Sequence, residues 1–276
     1  MTVPKIPTVS HGGSRFYVDP NDARHKVIGV TSVLNQIAKQ QFLGPWQAKL
    51  TAECAVDDLD VWGPLAKRDR AGAVDFLKRA PGRSTQGSAD RGTRVHEMIE
   101  HVLTDGLVEL DDELRPFYDA FIEFLTATQA KAVLVEQTVW NDTLGYAGSF
   151  DAVLEIDGQN IIVDWKTSRS IYPETALQLC AYANADGVMH ADGTITDLPE
   201  IHGAAVLHLA DAGKSIKWSF VPLSIDGLMP FFTALIKATE WASSISQTVV
   251  GRPIAGGVVS KVSTTTTTQT GQEVSA

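Results

Sequence analysis

Gly148-Ser149-Phe150-Asp151 and, beyond the turn Asp157-Gly158, Ile161-Ile162-Val163-Asp164-Trp165-Lys166-Thr167 decide how this chain is read. Branched and aromatic residues fill 146–156 and 160–166, and Asp-Gly between them is a two-residue hairpin signal, so two antiparallel strands are expected. The hairpin sets Asp151 and Asp164 on neighbouring strands. Two carboxylates about 5 Å apart repel by roughly 3 kcal/mol at an effective dielectric near 20. A divalent cation offsets that directly, and hard oxygen ligands suit Mg2+ or Mn2+. The plainer alternative is a structural ion pair. Strand alternation puts residues 164 and 166 on one side of a sheet, and an isolated Asp-x-Lys is more often that than a site.

Outward from this hairpin, Val133 to Trp140 adds a strand before it, closed by Asn141-Asp142, so 133–166 reads as an antiparallel meander. A helix is expected over 173–184, two more strands over 203–209 and 215–221, and a last helix over 225–245. Upstream, 90–104 and 112–129 read as helices. Leu43, Trp46, Leu50 and Cys54 fall at helical spacing, which predicts a helix over 41–58. Another is expected from Pro64 to Ala80, stopped by Pro81-Gly82, with 81–89 a polar loop. Residues 16–18 and 27–30 flank a turn as a small hairpin, Thr31 or Ser32 can cap a short helix, and 1–14 reads as a loose arm. Residues 255–276, with threonine at 264 through 268, are expected to be a disordered tail.

The 276 residues, 44% hydrophobic and 20% charged, suffice for a real core. No apolar run approaches the roughly 18 residues of a membrane helix, so no membrane association is expected. The start carries no secretory signal pattern, and two cysteines, Cys54 and Cys180, make no disulfide framework, so a cytoplasmic setting is expected. The net charge of −10 speaks against a histone-like protein. It hides an asymmetry: residues 67–94 hold eight basic residues against three acidic, a local +5. The plain reading of such a run is a solvated helix face.

The Asp-x-Lys strand is not isolated. Gly92-Thr93-Arg94-Val95-His96 opens the helix expected at 90–104, and Gln178-Leu179-Cys180-Ala181-Tyr182 lies on the helix directly after the strand, with Gln178 and Tyr182 on one face. This order of helix with His, strand with Asp, strand with Asp-x-Lys, and helix with Gln-x-x-x-Tyr resembles the PD-(D/E)xK nuclease superfamily. Within it the chain looks like the RecB-like branch of bacterial, CRISPR-associated and phage-encoded exonucleases. The resemblance spans about residues 90–185, and more weakly Val30-Thr31-Ser32-Val33-Leu34.

The resemblance implies a restriction-endonuclease-like α/β fold: a central mixed sheet with an antiparallel meander, flanked by helices and extended by N-terminal helices. It implies one domain over 1–254, with the helical part at about 31–80, the core at about 90–222 and the closing helix at about 225–245. It implies Mg2+- or Mn2+-dependent cleavage of DNA, most simply as an exonuclease in recombination, repair or replication. His96, Asp151, Asp164 and the Trp165 backbone carbonyl match the metal ligands; Asp151, Asp164 and Lys166 match the catalytic set. Gln178 and Tyr182 match the substrate-positioning pair. The basic run suggests Arg83, Arg91 and Arg94 as DNA contacts. Related nucleases carry an iron–sulfur cluster on four cysteines, and two cannot hold one, so no cluster is expected. No Walker loop is present, so a helicase or recombinase would be a separate partner. The alternative is a catalytically inactive nuclease fold that binds nucleic acid or protein, and the complete Asp151, Asp164 and Lys166 set speaks against it. A carboxylate glycosidase would need neither the lysine nor the Gln-x-x-x-Tyr helix.

His96 and His101 superficially suggest a zinc-protease helix, but that motif needs histidines four apart on one face; here position 100 is Glu. Glu100 and Glu136 are each open between an assisting and a surface role, and Trp140, Trp218 and Trp241 between core packing and base stacking.

Overall fold

The computed structural model describes residues 6–35, 40–106 and 108–257. The chain opens with strands β1 (Thr8–His11), β2 (Ser14–Val18) and β3 (Lys26–Gly29), followed by helices α1 (Val30–Leu34), α2 (Gln40–Asp57), α3 (Leu59–Arg68), α4 (Arg70–Lys78), α5 (Ala80–Thr104) and α6 (Arg115–Thr128). The meander β4 (Lys131–Asn141), β5 (Tyr146–Ile156) and β6 (Gln159–Lys166) comes next. Then follow α7 (Glu174–Ala183), the short strands β7 (Gly187–Met189) and β8 (Ile195–Thr196), the pair β9 (Gly203–Asp211) and β10 (Ile216–Leu223), and α8 (Met229–Ser243). The expected α/β arrangement, a central mixed sheet carrying an antiparallel meander between helices, is the arrangement observed.

Local chemistry explains the meander. Asp157 and Gly158 both take positive φ, 50° and 77°, the backbone shape of a two-residue hairpin whose twist matches the strands. At the other turn the Asn141 side chain accepts from Leu144 N–H at 2.7 Å. Strand β9 then lies parallel to β6, with Asp164 beside Val206 and Lys166 beside His208, and α7 carries the chain across between them. Strand β10 pairs antiparallel with β9.

Helices cover both faces. On one, Val95 and Ile99 of α5 and Phe117, Phe121 and Phe124 of α6 pack on Leu154, Val163, Trp165 and Leu207. The three phenylalanines recur at i, i+4 and i+7, one stripe of a helix. On the other, Val33 of α1, Leu179 and Tyr182 of α7 and Phe232 of α8 pack on Tyr146, Val153, Ile162 and Ala204. Among the described residues no helix is long and apolar enough to cross a membrane.

Several expectations are corrected. Residues 8–11, read as loose arm, form β1, because β2 offers them an antiparallel partner. Helix α1 starts after Gly29 with no side-chain cap; Thr31 and Ser32 lie inside it, and the Ser32 hydroxyl accepts from Arg15 N–H at 2.8 Å. Pro64 lies inside α3, and the single expected helix is split into α3 and α4 by Asp69, whose carboxylate caps Gly72 N–H at 2.9 Å. The polar loop expected at 81–89 is helix: Pro81 opens the 25-residue α5, where its missing N–H is no loss. β7 and β8 were not foreseen. The tail expected at 255–276 lies, from residue 258 on, outside the described residues.

Two glycines test this packing in opposite directions. A Cβ on Gly148 would sit 2.5 Å from Tyr182 Cε1 and 3.2 Å from Val30 Cγ2, so Gly148→Ala should lose about 1–3 kcal/mol of stability. Gly87 is exposed within α5 with nothing within 4 Å, so Gly87→Ala should gain about 0.5–1 kcal/mol by helix propensity. Urea denaturation of both variants measures the two effects, and no gain at Gly87 would put residues 81–89 back in a loop.

Candidate active site

Strand β5 changes partner along one edge. At its start it pairs in parallel with β3, Ile28 beside Tyr146 and Gly29 beside Ala147; from Ala152 onward that edge is taken by β6, with Ala152 beside Val163. Between the two partners, residues 148–151 have no strand paired to them on that edge, while β4 continues along the other. Side chains fill the gap: Ser149 N–H donates to Tyr17 Oη at 3.1 Å, and Trp165 N–H donates to Asp151 Oδ2 at 2.7 Å. The fork opens a cleft of about 460 Å³ lined from β5, β6, α5 and α7.

The sheet's alternation also slips here. Phe150 packs with the α7 and α8 face, whereas Ala152, two residues on, packs with the α5 and α6 face. Across the strand pair the register places Glu136 opposite Asp151, between the couples Gln137–Phe150 and Val135–Ala152. Glu136 has φ 48°, a left-handed conformation that a non-glycine residue holds inside a strand only at a cost of order 1–3 kcal/mol.

Seven of the site residues singled out by sequence, His96, Asp151, Asp164, Trp165, Lys166, Gln178 and Tyr182, meet in the cleft. Asp151 and Asp164 side chains are 13% and 5% exposed. His96, brought by α5, sets Nδ1 3.4 Å from Asp151 Oδ1. Lys166 Nζ lies 2.6 Å from Asp164 Oδ2, so the strand alternation does make the ion pair, but inside a cleft rather than on an open face. Gln178, from α7, donates to Asp164 Oδ1 and to Tyr182 Oη, both at 3.2 Å. The Trp165 ring is buried against Phe121 while the backbone N–H of the same residue holds Asp151.

Burial and charge compete at every group. Burial would raise Asp151, but His96, Lys166 and the Trp165 N–H hold it below the usual carboxylate value. Burial raises Asp164, and the Asp151 charge adds to it beyond what Lys166 offsets. Burial would lower Lys166 and His96; the two aspartates outweigh it and hold both above their ordinary values, so Lys166 stays an ammonium. Tyr182, buried, is pushed well up and stays neutral.

Three potential ligand atoms, one each from His96, Glu136 and Asp151, lie within 4.8 Å of one another, with Asp164 on the next strand. Carboxylate oxygens with one imidazole nitrogen form a donor set that suits Mg2+ or Mn2+. Glu136, open in the sequence, is thus drawn into the site. Glu100, His101 and the three arginines are not. Glu100 does not line the cleft. His101 is exposed beside Asp105 at 3.2 Å. Arg94 pairs with Asp111 and Glu113, Arg91 with Asp211 at 3.4 Å, and Arg83 stacks on Phe76 at 4.1 Å. Trp140 is core, Trp218 packs on Phe124, and Trp241 is exposed. A hydroxyl chain that sequence reading missed, Tyr17, Ser149 and Thr138 at 3.3 and 3.1 Å, lies beside the carboxylates. Tyr17 comes from β2, and only the pairing of β3 with β5 brings it there, so no local signal marked it.

No family model matches the chain. Over 104 residues it is 31% identical to the human mitochondrial genome maintenance exonuclease 1, a match covering 34% of this chain and 30% of that protein. The chain therefore spans 30% of the length of this curated relative. Among solved structures, the crystal structure of SSO0001 is 14% identical with a TM-score of 0.32, covering 73% of this chain and 87% of that one. An alkaline exonuclease from Laribacter hongkongensis is 12% identical with a TM-score of 0.28, covering 56% and 81%. Structural likenesses this loose carry no argument of their own; the chain is similar in sequence to a protein named as an exonuclease.

Proposed function

We propose that this chain is a metal-dependent deoxyribonuclease of the PD-(D/E)xK type, RecB-like branch, acting on DNA as an exonuclease. One observation carries the reading: His96, Asp151, Asp164, Lys166, Gln178 and Tyr182, spread over 87 residues of sequence, converge on one cleft at the fork of β5. The sequence similarity to a protein named as an exonuclease supports it.

Asp151, Asp164 and His96, with the Trp165 carbonyl, would hold Mg2+ or Mn2+, and Glu136 adds a carboxylate beside His96 and Asp151. Bound there, the cation would neutralise phosphate oxygens and lower the pKa of a water molecule. The chain's own groups account for the rest. Lys166, held as an ammonium by Asp164, orients the attacking water or stabilises charge developing at phosphorus. Gln178 fixes Asp164 through one amide hydrogen and Tyr182 through the same group, so α7 keeps the carboxylate pointed into the cleft. The Trp165 N–H fixes Asp151 in the same way.

Two measurements test the proposal. Cleavage of end-labelled DNA should vanish in EDTA and return with manganese or magnesium, with calcium binding but supporting little turnover; robust cleavage in chelator would overturn the metal assignment. Lys166→Ala should lose at least about a hundredfold in single-turnover cleavage with little change in DNA affinity, whereas Asp164→Ala should also lose metal binding by calorimetry. Parental cleavage by Lys166→Ala would reduce the Asp164–Lys166 contact to a structural ion pair.

A further inference from the structure

Strand β6 stops before its neighbour does. Its parallel ladder with β9 ends at the couple Lys166–His208, whereas β9 runs on to Asp211, still paired with β10. Lys166 is therefore the last residue of its strand. Backbone beyond the end of a ladder frays unless something else takes its polar groups. Here a side chain does so. His208 Nε2 lies 2.6 Å from the Ser168 carbonyl oxygen, two residues past the end of β6. A carbonyl only accepts, so Nε2 carries a proton and donates it.

The alternation of the sheet puts the imidazole where it can do this. Trp165 on β6 and Leu207 and Leu209 on β9 pack with the α5 and α6 face. Lys166 and His208, each one residue off that row, share the opposite face, as Asp164 does. Lys166, Thr167 and Ser168 line the cleft, and half-buried His208 stands behind them. Helix α5 bounds the same segment from another side: a Cβ on Gly92 would sit 3.3 Å from Thr167 Oγ1. Further on, the Ser168 hydroxyl donates to the Ser170 carbonyl at 2.8 Å. The backbone that follows Lys166 is thus bounded by α5 through contact and held to β9 by one hydrogen bond.

We infer that His208 is a positioning residue for Lys166: by holding the Ser168 carbonyl it extends the grip of β9 past the end of the ladder and keeps Lys166 Nζ beside Asp164. The inference rests on the nuclease reading and deepens it. No local signal marks His208, which lies 40 residues after Ser168 and meets it only through the parallel pairing of β6 with β9.

Two substitutions in the full chain separate positioning from a merely stabilising role. His208→Gln keeps an amide N–H at the place of Nε2, whereas the side chain of His208→Asn is one bond too short to reach Ser168. His208→Asn should slow single-turnover cleavage of end-labelled DNA in saturating manganese about tenfold, the scale of a small misplacement of a reacting group. His208→Gln should stay within about threefold of the parent. Manganese binding by calorimetry should be unchanged in both, because the aspartates are untouched. In a Lys166→Ala background, His208→Asn should cost less than about twofold, because it acts through the lysine. Parental cleavage by His208→Asn, an equal loss in both variants, or the full loss in the Lys166→Ala background would overturn the assignment. Amide hydrogen exchange over residues 165–171 reads the tether without any activity. It should speed up about tenfold in His208→Asn and stay parental in His208→Gln. Unchanged exchange in His208→Asn would also overturn the assignment. A parent that cleaves no DNA, with exchange responding as expected, sinks the nuclease reading and the catalytic part of the role, while the tether itself stands.

Discussion

Two carboxylates buried side by side at the fork of β5 are the constraint on which the rest depends. Asp151 and Asp164 lose water and repel each other. Compensation arrives from separate elements: His96 from α5, the Trp165 N–H and Lys166 from β6, and Gln178 from α7. Removing any one partner leaves a buried charge short of its support, so the helices are fixed by the carboxylates as much as the carboxylates by the helices.

The fork explains why the charges sit where they do. A sheet paired along its full length leaves no room for side chains between strands. Because β5 leaves β3 before it meets β6, backbone groups at the fork find side-chain partners: the Ser149 N–H donates to the Tyr17 hydroxyl, and the backbone N–H of Trp165 on β6 donates to the Asp151 carboxylate. The left-handed Glu136 opposite Asp151 is part of the same local distortion. The cost of these departures is offset by packed aromatic layers on both faces, Phe121 and Phe124 with Trp165 on one side and Tyr146, Phe150 and Phe232 on the other. Site residues borne by strands and helices with such backing are held in place without a ligand.

Helix α5 links the acidic centre to the basic N-terminal helices. Its last turns are buried through Val95, Met98 and Ile99, while its first turns are exposed and turned toward α2. One helix thus brings His96 to Asp151 at one end and packs against α2 at the other, and sets the distance between them.

By itself the sequence determined the strands of the meander, the Asp157-Gly158 turn, the helix that follows Lys166, and the identity of His96, Asp151, Asp164, Lys166, Gln178 and Tyr182 as one set. The strands, the turn and the helix rest on local chemistry, period-two branching, a turn that needs positive φ and spacing along a single helix face; the grouping of the six residues rests on the resemblance to the order of nuclease motifs. Residues 81–89 were misread because Pro and Gly at a helix start look, in sequence, like the end of the helix before. Tertiary structure alone decided the rest. The partner change of β5, the recruitment of Glu136 and Tyr17, and the pairing of Arg91 and Arg94 with Asp211, Asp111 and Glu113 depend on contacts between residues far apart in the chain. A carboxylate or an arginine has the same local signature whether it faces water, a salt-bridge partner or a cleft; which it faces is set by the strand or helix that the fold lays beside it.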